Sequence, residues 1–391
     1  MSTAQVFLYV QHLLGIGHLR RAATLARALA AQGLRVTLAS GGAPVQGMVV
    51  QGVTFVQLPP VRAADLGFKA LLDESGRAID DAWKRRRTEA LLAAWRAATS
   101  HPEPQALMLE LFPFGRRQMR FELLPLLDAA AATGPRRPSV YCSVRDILGG
   151  QQSPARQQEA LALVERYFDR VLVHADRGVI SFERSFPAAA RIADRIEYTG
   201  YVVEPEASLG GAAGKGEVIV SAGGGAVGAS LLEAAMRAKP LSALRARTWR
   251  VLAGNNLPQR DFERLAGLAG GQRGFELERS RADFTTLLSN CELSVSQAGY
   301  NTLMETIRAG ARAVVVPFAG GNETEQTLRA RSFAARGLLE MVAEEALTPR
   351  ALAAAIDRAA SKPRPLPGAI DLDGARKSAA LIARRFELKT A

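Results

Sequence analysis

Three stretches of this 391-residue chain combine residue types able to hold a phosphorylated, hydroxyl-rich ligand. In Ala222-Gly223-Gly224-Gly225-Ala226-Val227-Gly228, three consecutive glycines leave peptide N–H groups bare between an apolar run (217–221) and a helix. The helix adds the positive end of its dipole, so the loop suits a pyrophosphate; an ordinary tight strand-to-helix turn is the other reading. The turn Gln297-Ala298-Gly299-Tyr300-Asn301-Thr302 precedes a second helix carrying Glu305, about one and a half turns past Gly299. A carboxylate there can accept hydrogen bonds from both hydroxyls of a ribose, although helix carboxylates are usually solvated surface groups. The third stretch is Gly320-Gly321-Asn322-Glu323-Thr324-Glu325-Gln326. Its Asn322, Glu323, Glu325 and Gln326 offer donors and acceptors for sugar hydroxyls, or are polar simply because loops are.

The first half carries a different set. Gln11-His12-Leu13-Leu14-Gly15-Ile16-Gly17-His18 follows the first apolar run and opens a helix. Gly15 and Gly17 allow close backbone approach, but Gly-x-Gly-His is weaker than a full dinucleotide fingerprint. His18 titrates near neutral pH, which suits proton transfer; capping or packing at a helix start is the plain alternative. Glu110 ends the apolar run 105–109, ahead of Phe112-Pro113-Phe114-Gly115-Arg116-Arg117. It reads as an acid, base or ligand, or as the structural partner of Arg116 or Arg117. Val144-Arg145-Asp146 leads from the run 139–143 into Gly149-Gly150, and His174 ends another run. The basic run Lys84-Arg85-Arg86-Arg87 reads as a solvated helix face or as a seat for an anionic headgroup.

The elements that must position these residues follow from pattern. Short apolar runs bounded by glycine, proline or polar residues predict buried parallel strands at 5–10, 34–40, 53–58, 105–109, 139–143, 170–174 and 196–199. The second half repeats the pattern at 217–221, 248–253, 275–277, 291–295 and 313–316. Helical spacing is read at 19–31, from about 77 to 99, up to 238, from 303 to 311, at 349–360 and from about 372 to 386. This alternation predicts an α/β protein with two doubly wound domains. The length suits two units of about 180–200 residues. Residues 1–203 form the first unit and 204–369 the second, joined by a glycine-rich linker (204–216).

Composition narrows the partners. Fifty Lys+Arg against 38 Asp+Glu give a formal charge of +12, which favours anionic partners or reflects an arginine-rich genome. Nucleic acid is disfavoured, because no recognition module appears and aromatics are 6%. Cys142 and Cys291 read as buried hydrophobes in a reducing compartment. No His/Cys metal-ligand spacing, secretory signal or eighteen-residue apolar run is read, so the expected home is the cytoplasm, at most peripheral on a membrane.

The stretch 294–331 resembles the donor-binding signature of GT-B glycosyltransferases, and within them glycosyltransferase family 28. Ala298-Gly299, Glu305, Pro317-Phe318 and Gln326 match by position, as does the Gly223–Gly225 loop. The glycine- and acid-rich loop 319–325 and the missing hinge proline after Gly200 depart from that pattern. The resemblance implies two Rossmann-like domains facing across a cleft, the second binding a nucleotide sugar and the first an acceptor, with the C-terminal helix 370–391 packing back on the first. It implies a general base at His18, with Asp146 and Glu110 as alternatives and Arg145 beside them in a cleft loop. The base of the nucleotide falls to the loop holding Arg279, largely through backbone. The expected reaction is transfer of a sugar from a nucleoside diphosphate, UDP by resemblance, to an acceptor hydroxyl, inverting and without metal or other cofactor. A lipid-linked or polysaccharide acceptor and an anionic membrane surface fit as partners. An epimerase, a hydrolase or a non-catalytic nucleotide-sugar-binding subunit of the same fold are the alternatives.

Overall fold

The computed structural model describes residues 4–13, 15–64, 70–100, 103, 105–150, 153–204, 211–223, 227–320 and 324–390, the last four by backbone alone. It divides into two compact units. One comprises residues 1–148, 152–202 and 373–391; the other comprises 149–151 and 203–372.

The first unit runs β1 (Gln5–Val10), α1 (Gly17–Ala31), β2 (Arg35–Ser40), β3 (Val53–Gln57) and a short hairpin of β4 (Arg62–Ala63) and β5 (Leu71–Leu72). It continues with α2 (Asp81–Ala98), β6 (Gln105–Glu110), α3 (Arg120–Ala131), β7 (Ser139–Arg145), α4 (Pro154–Tyr167), β8 (Arg170–His174) and β9 (Ile196–Tyr198). Seven strands pair in the order β3-β2-β1-β6-β7-β8-β9, all parallel. The order reverses between β1 and β6, and in open α/β sheets ligands sit outside the carboxyl ends of the strands at such a point. β1 is buried along its whole length, as a strand covered on both faces must be.

The second unit holds β10 (Val218–Ser221), α5 (Ala229–Ala238), β11 (Trp249–Leu252), α6 (Gln259–Gly270), β12 (Phe275–Glu278), α7 (Phe284–Asn290) and β13 (Leu293–Ser296). Then follow α8 (Tyr300–Arg308), β14 (Ala313–Val315), α9 (Glu325–Ala334), β15 (Glu340–Met341) and α10 (Pro349–Ser361). Its sheet, β12-β11-β10-β13-β14-β15, is also parallel throughout and reverses between β10 and β13.

The last helix, α11 (Gly374–Thr390), belongs to the first unit, where Ala379, Ile382 and Phe386 share a core with Ala22, Ala26 and Leu29 of α1. Gly374 makes this return possible: a Cβ there would stand 2.2 Å from the Gly200 carbonyl oxygen, and its N–H donates to Tyr201 O at 3.0 Å.

Two expectations change. Residues 211–216 are packed rather than a loose linker: Asn290 donates to Gly211 O and Ala213 O at 2.8 and 2.9 Å, and Ala213 lies against a core containing Leu287 and Cys291. The basic run of α2 is not one solvated face. Arg85 and Arg86 are exposed, but Arg87 is fully buried, with Nε 2.8 Å from Glu122 Oε2. Arg87 also donates to Gln11 Oε1 at 3.0 Å and Gly41 O at 3.1 Å. Helical periodicity cannot distinguish a surface arginine from one whose partner lies on another helix.

Candidate active site

In the first unit the chain delivers His18 from the start of α1 and Glu110 from the end of β6, on either side of the strand-order reversal. His18 Nδ1 and Glu110 Oε1 are 2.7 Å apart. Arg21, one helical turn beyond His18, donates to the same carboxylate oxygen and is itself buried. Arg21 Nη2 also lies 3.3 Å from His18 Nδ1. A guanidinium has no lone pair to offer, so the shorter contact to a carboxylate assigns the ring proton to Nδ1 and leaves Nε2 as the bare, basic nitrogen.

Burial holds the His18 imidazole neutral, down to about 3; Glu110 pulls the other way, while Arg116 and Arg21 reinforce the shift. Glu110 is governed by opposing effects. Burial alone would raise its pKa, but His18, Arg21 and Arg116 outweigh that and hold it well below the usual carboxylate range. A neutral imidazole oriented by an ionised carboxylate is the arrangement a general base needs. The loop after Glu110 is strained: Leu111 and Arg116 have φ of 67° and 59°, rare for side chains other than glycine.

The neighbouring strand ends hold the other candidates. Asp146 is fully buried just beyond β7, and its Oδ1 accepts the Ile147 amide at 2.9 Å. Arg145 is half-buried, in register with His174 on β8. His174 bridges Ser143 and Thr199, with ring nitrogens 2.7 and 2.9 Å from their hydroxyls, and burial holds it neutral at about 3. Gly15 has open space around its Cα, and α1 begins at Gly17 without a side-chain cap.

In the second unit the loops after β10 and β13 meet. A Cβ on Gly223, which has φ of 69°, would stand 3.8 Å from Thr302 Oγ1. Gly228 tolerates no side chain, having φ of 130° and a Cβ position 2.5 Å from Ala222 Cβ. Gly228 and Gly299 are the N-caps of α5 and α8, so neither helix start is closed by a side chain. Around Gly299 nothing lies within 4 Å of where a Cβ would be, so there is room over the start of α8. Glu305, Asn301 and Thr302 are half-buried on that helix. Gly224, Gly225, Ala226, Asn322 and Glu323 lie outside the described residues.

Three of the expected donor-binding side chains make contacts within the protein. Arg279 donates to Leu257 O at 2.9 Å and stacks 4.5 Å from the Phe262 ring, while its own carbonyl accepts Gly254 N. Glu325 is buried and ion-paired to Arg329 at 2.7 Å. Gln326 Oε1 accepts the amides of Ala298 and Phe318, each at 3.1 Å. Arg21 and Arg329 were not anticipated, although both carry a local signal, i+3 from His18 and i+4 from Glu325. Among the described residues no group of three or more His, Cys, Asp and Glu is placed to hold a metal.

Residues 219–382 match the glycosyltransferase family 28 C-terminal domain. A 183-residue stretch is 30% identical to the UDP-N-acetylglucosamine--N-acetylmuramyl-(pentapeptide) pyrophosphoryl-undecaprenol N-acetylglucosamine transferase of Geobacillus kaustophilus (strain HTA426). That stretch covers 42% of this chain and 47% of the relative, so the chain spans about half the length of the curated protein it matches. Among solved structures, the glycotransferase of kitacinnamycin overlays with a TM-score of 0.64 at 18% identity, over 99% of this chain and 100% of that one. MurG of Acinetobacter baumannii overlays with a TM-score of 0.58 at 15% identity, over 98% and 100%. The chain therefore has the GT-B fold, with two Rossmann-like domains.

Proposed function

We propose that this protein is a glycosyltransferase that moves a sugar from a nucleoside diphosphate to an acceptor hydroxyl. The observation that carries the reading is the 2.7 Å contact between His18 Nδ1 and the ionised Glu110, which leaves Nε2 free to take a proton. In the proposed step His18 Nε2 removes the acceptor's hydroxyl proton, and that oxygen bonds to the anomeric carbon as the bond to the diphosphate breaks, inverting the centre. The pair of electrons leaves with the nucleoside diphosphate. Its charge is received by the peptide N–H groups of the loop after β10 and the uncapped start of α8, which here take the part a divalent cation has in other transferases.

Glu305 supports a ribonucleoside donor, and likeness to the Geobacillus enzyme favours UDP with a lipid-linked acceptor. The same reading places the enzyme peripherally at the cytoplasmic face, where such an acceptor is reached; no helix among the described residues is long and apolar enough to cross a membrane. Titration with UDP, GDP and dTDP tests the donor assignment. Wild type should prefer UDP, and Glu305→Ala should lose about tenfold or more in UDP affinity, a charged hydrogen-bond pair being removed. Equal UDP affinity in both proteins would remove the ribose role. Donor consumed without acceptor would instead indicate a hydrolase or epimerase.

A further inference from the structure

The residues that open α9 sit where contacts to a donor sugar are expected, and the Gln326 side-chain oxygen, Glu325 and Arg329 are also bound within the protein itself. Gln326 Oε1 accepts two backbone amides, Ala298 N on the turn after β13 and Phe318 N on the turn after β14, each at 3.1 Å. Only the oxygen of the side-chain amide can accept, so these two donors fix its orientation and engage both of its lone pairs. Arg329, one turn along the same helix and fully buried, donates Nη1 to the Ala298 carbonyl at 2.9 Å. Its Nη2 is held by Glu325 at 2.7 Å, and its guanidinium lies 5.5 Å from the Tyr300 ring. The Ala298 peptide is thus gripped at both its N–H and its C=O by one helix. Gly299 and the start of α8 follow immediately.

We propose that Glu325, Gln326 and Arg329 are positioning residues, a brace that presents the start of α8 and the end of β14 to the donor as one surface. This rests on the second unit binding the nucleoside diphosphate, as proposed above. A brace acts on the nucleotide before any sugar is present; a direct sugar contact does not.

The test compares wild type with Gln326→Ala and Gln326→Glu, the latter keeping an acceptor oxygen in place while replacing the amide nitrogen. Two readouts are taken on the full chain: backbone amide exchange without ligand, and affinity for UDP and UDP-N-acetylglucosamine. The brace predicts faster exchange at Ala298 and Phe318 in Gln326→Ala than in Gln326→Glu, as two hydrogen bonds are lost only in the former. It also predicts that Gln326→Ala weakens UDP by about tenfold and leaves the UDP-sugar to UDP affinity ratio as in wild type. Unchanged exchange at both amides overturns the proposal. So does unchanged UDP affinity with loss confined to the UDP-sugar, the signature of a sugar contact. Wild type that binds neither nucleotide removes the donor assignment, and the exchange comparison still decides the brace.

Discussion

Replacing Glu110 by glutamine separates its part in holding the fold from its part in the reaction. The carboxylate is 1% exposed and accepts from His18 at 2.7 Å and from the buried Arg21 through one oxygen. Glutamine keeps the shape and one acceptor but removes the charge. Arg21 then remains as a buried cation without its counter-charge, which costs about 3–5 kcal/mol of stability. The imidazolium formed during proton transfer also loses its stabilising partner, and turnover should fall about 10²–10⁴-fold. Denaturant unfolding and initial rates with saturating donor read the two effects. Adding Arg21→Met to Glu110→Gln removes both members of the ion pair and should recover most of the stability, because the unpaired charge is gone, while turnover stays low. Turnover of Glu110→Gln within threefold of wild type would refute the orienting role. Recovery of turnover along with stability in the double variant would refute it equally, reducing Glu110 to a structural residue.

Three further outcomes follow from the same geometry. His18 and His174 are held neutral to about 3, below the ordinary 6.5, so between those values the unfolded chain binds more protons than the folded one. Their stabilisation is therefore complete above about pH 6.5 and lost as pH falls, by about 1.4 kcal/mol per pH unit for each histidine; urea midpoints from pH 7 to 5 should show this, and His174→Gln should make the slope shallower. Gly374→Ala would force a Cβ to 2.2 Å from Gly200 O, so its melting temperature should drop by an amount matching about 1–3 kcal/mol, and an unchanged value would contradict the close approach. Arg87→Met leaves Glu122 buried without its partner and should cost about 3–5 kcal/mol in denaturant unfolding, whereas Arg86→Met on the exposed face should cost under about 0.5 kcal/mol.

The central strands were legible because they are parallel and buried on both faces, and so are continuous apolar runs, as at Gln5–Val10 and Val218–Ser221. Helices α3, α4, α6 and α7 were not read individually: they join strands already recognised and carry no chemistry-bearing motif. α4 nevertheless has its start written in Ser153-Pro154, a serine cap that accepts the Arg156 amide ahead of a proline at the first helical position. At the candidate site, type and position identified His18 and Glu110 separately, each with its own alternative. Their contact was illegible, since residues 92 apart in sequence are joined only by the pairing of β1 with β6. The fates of Glu325 and Gln326 were hidden for a related reason. A polar loop residue looks alike whether it awaits a ligand or satisfies a neighbouring peptide, and only Arg329, four residues on, hinted at the second.

In the proposed reaction the second unit takes the diphosphate of a nucleotide on bare peptide nitrogens. A crystal structure of the full chain with UDP tests it most directly. The diphosphate should lie over the start of α8 against the loop after β10, with the ribose hydroxyls on Glu305. UDP bound instead beside His18 in the first unit, or density absent at saturating UDP, would contradict the account.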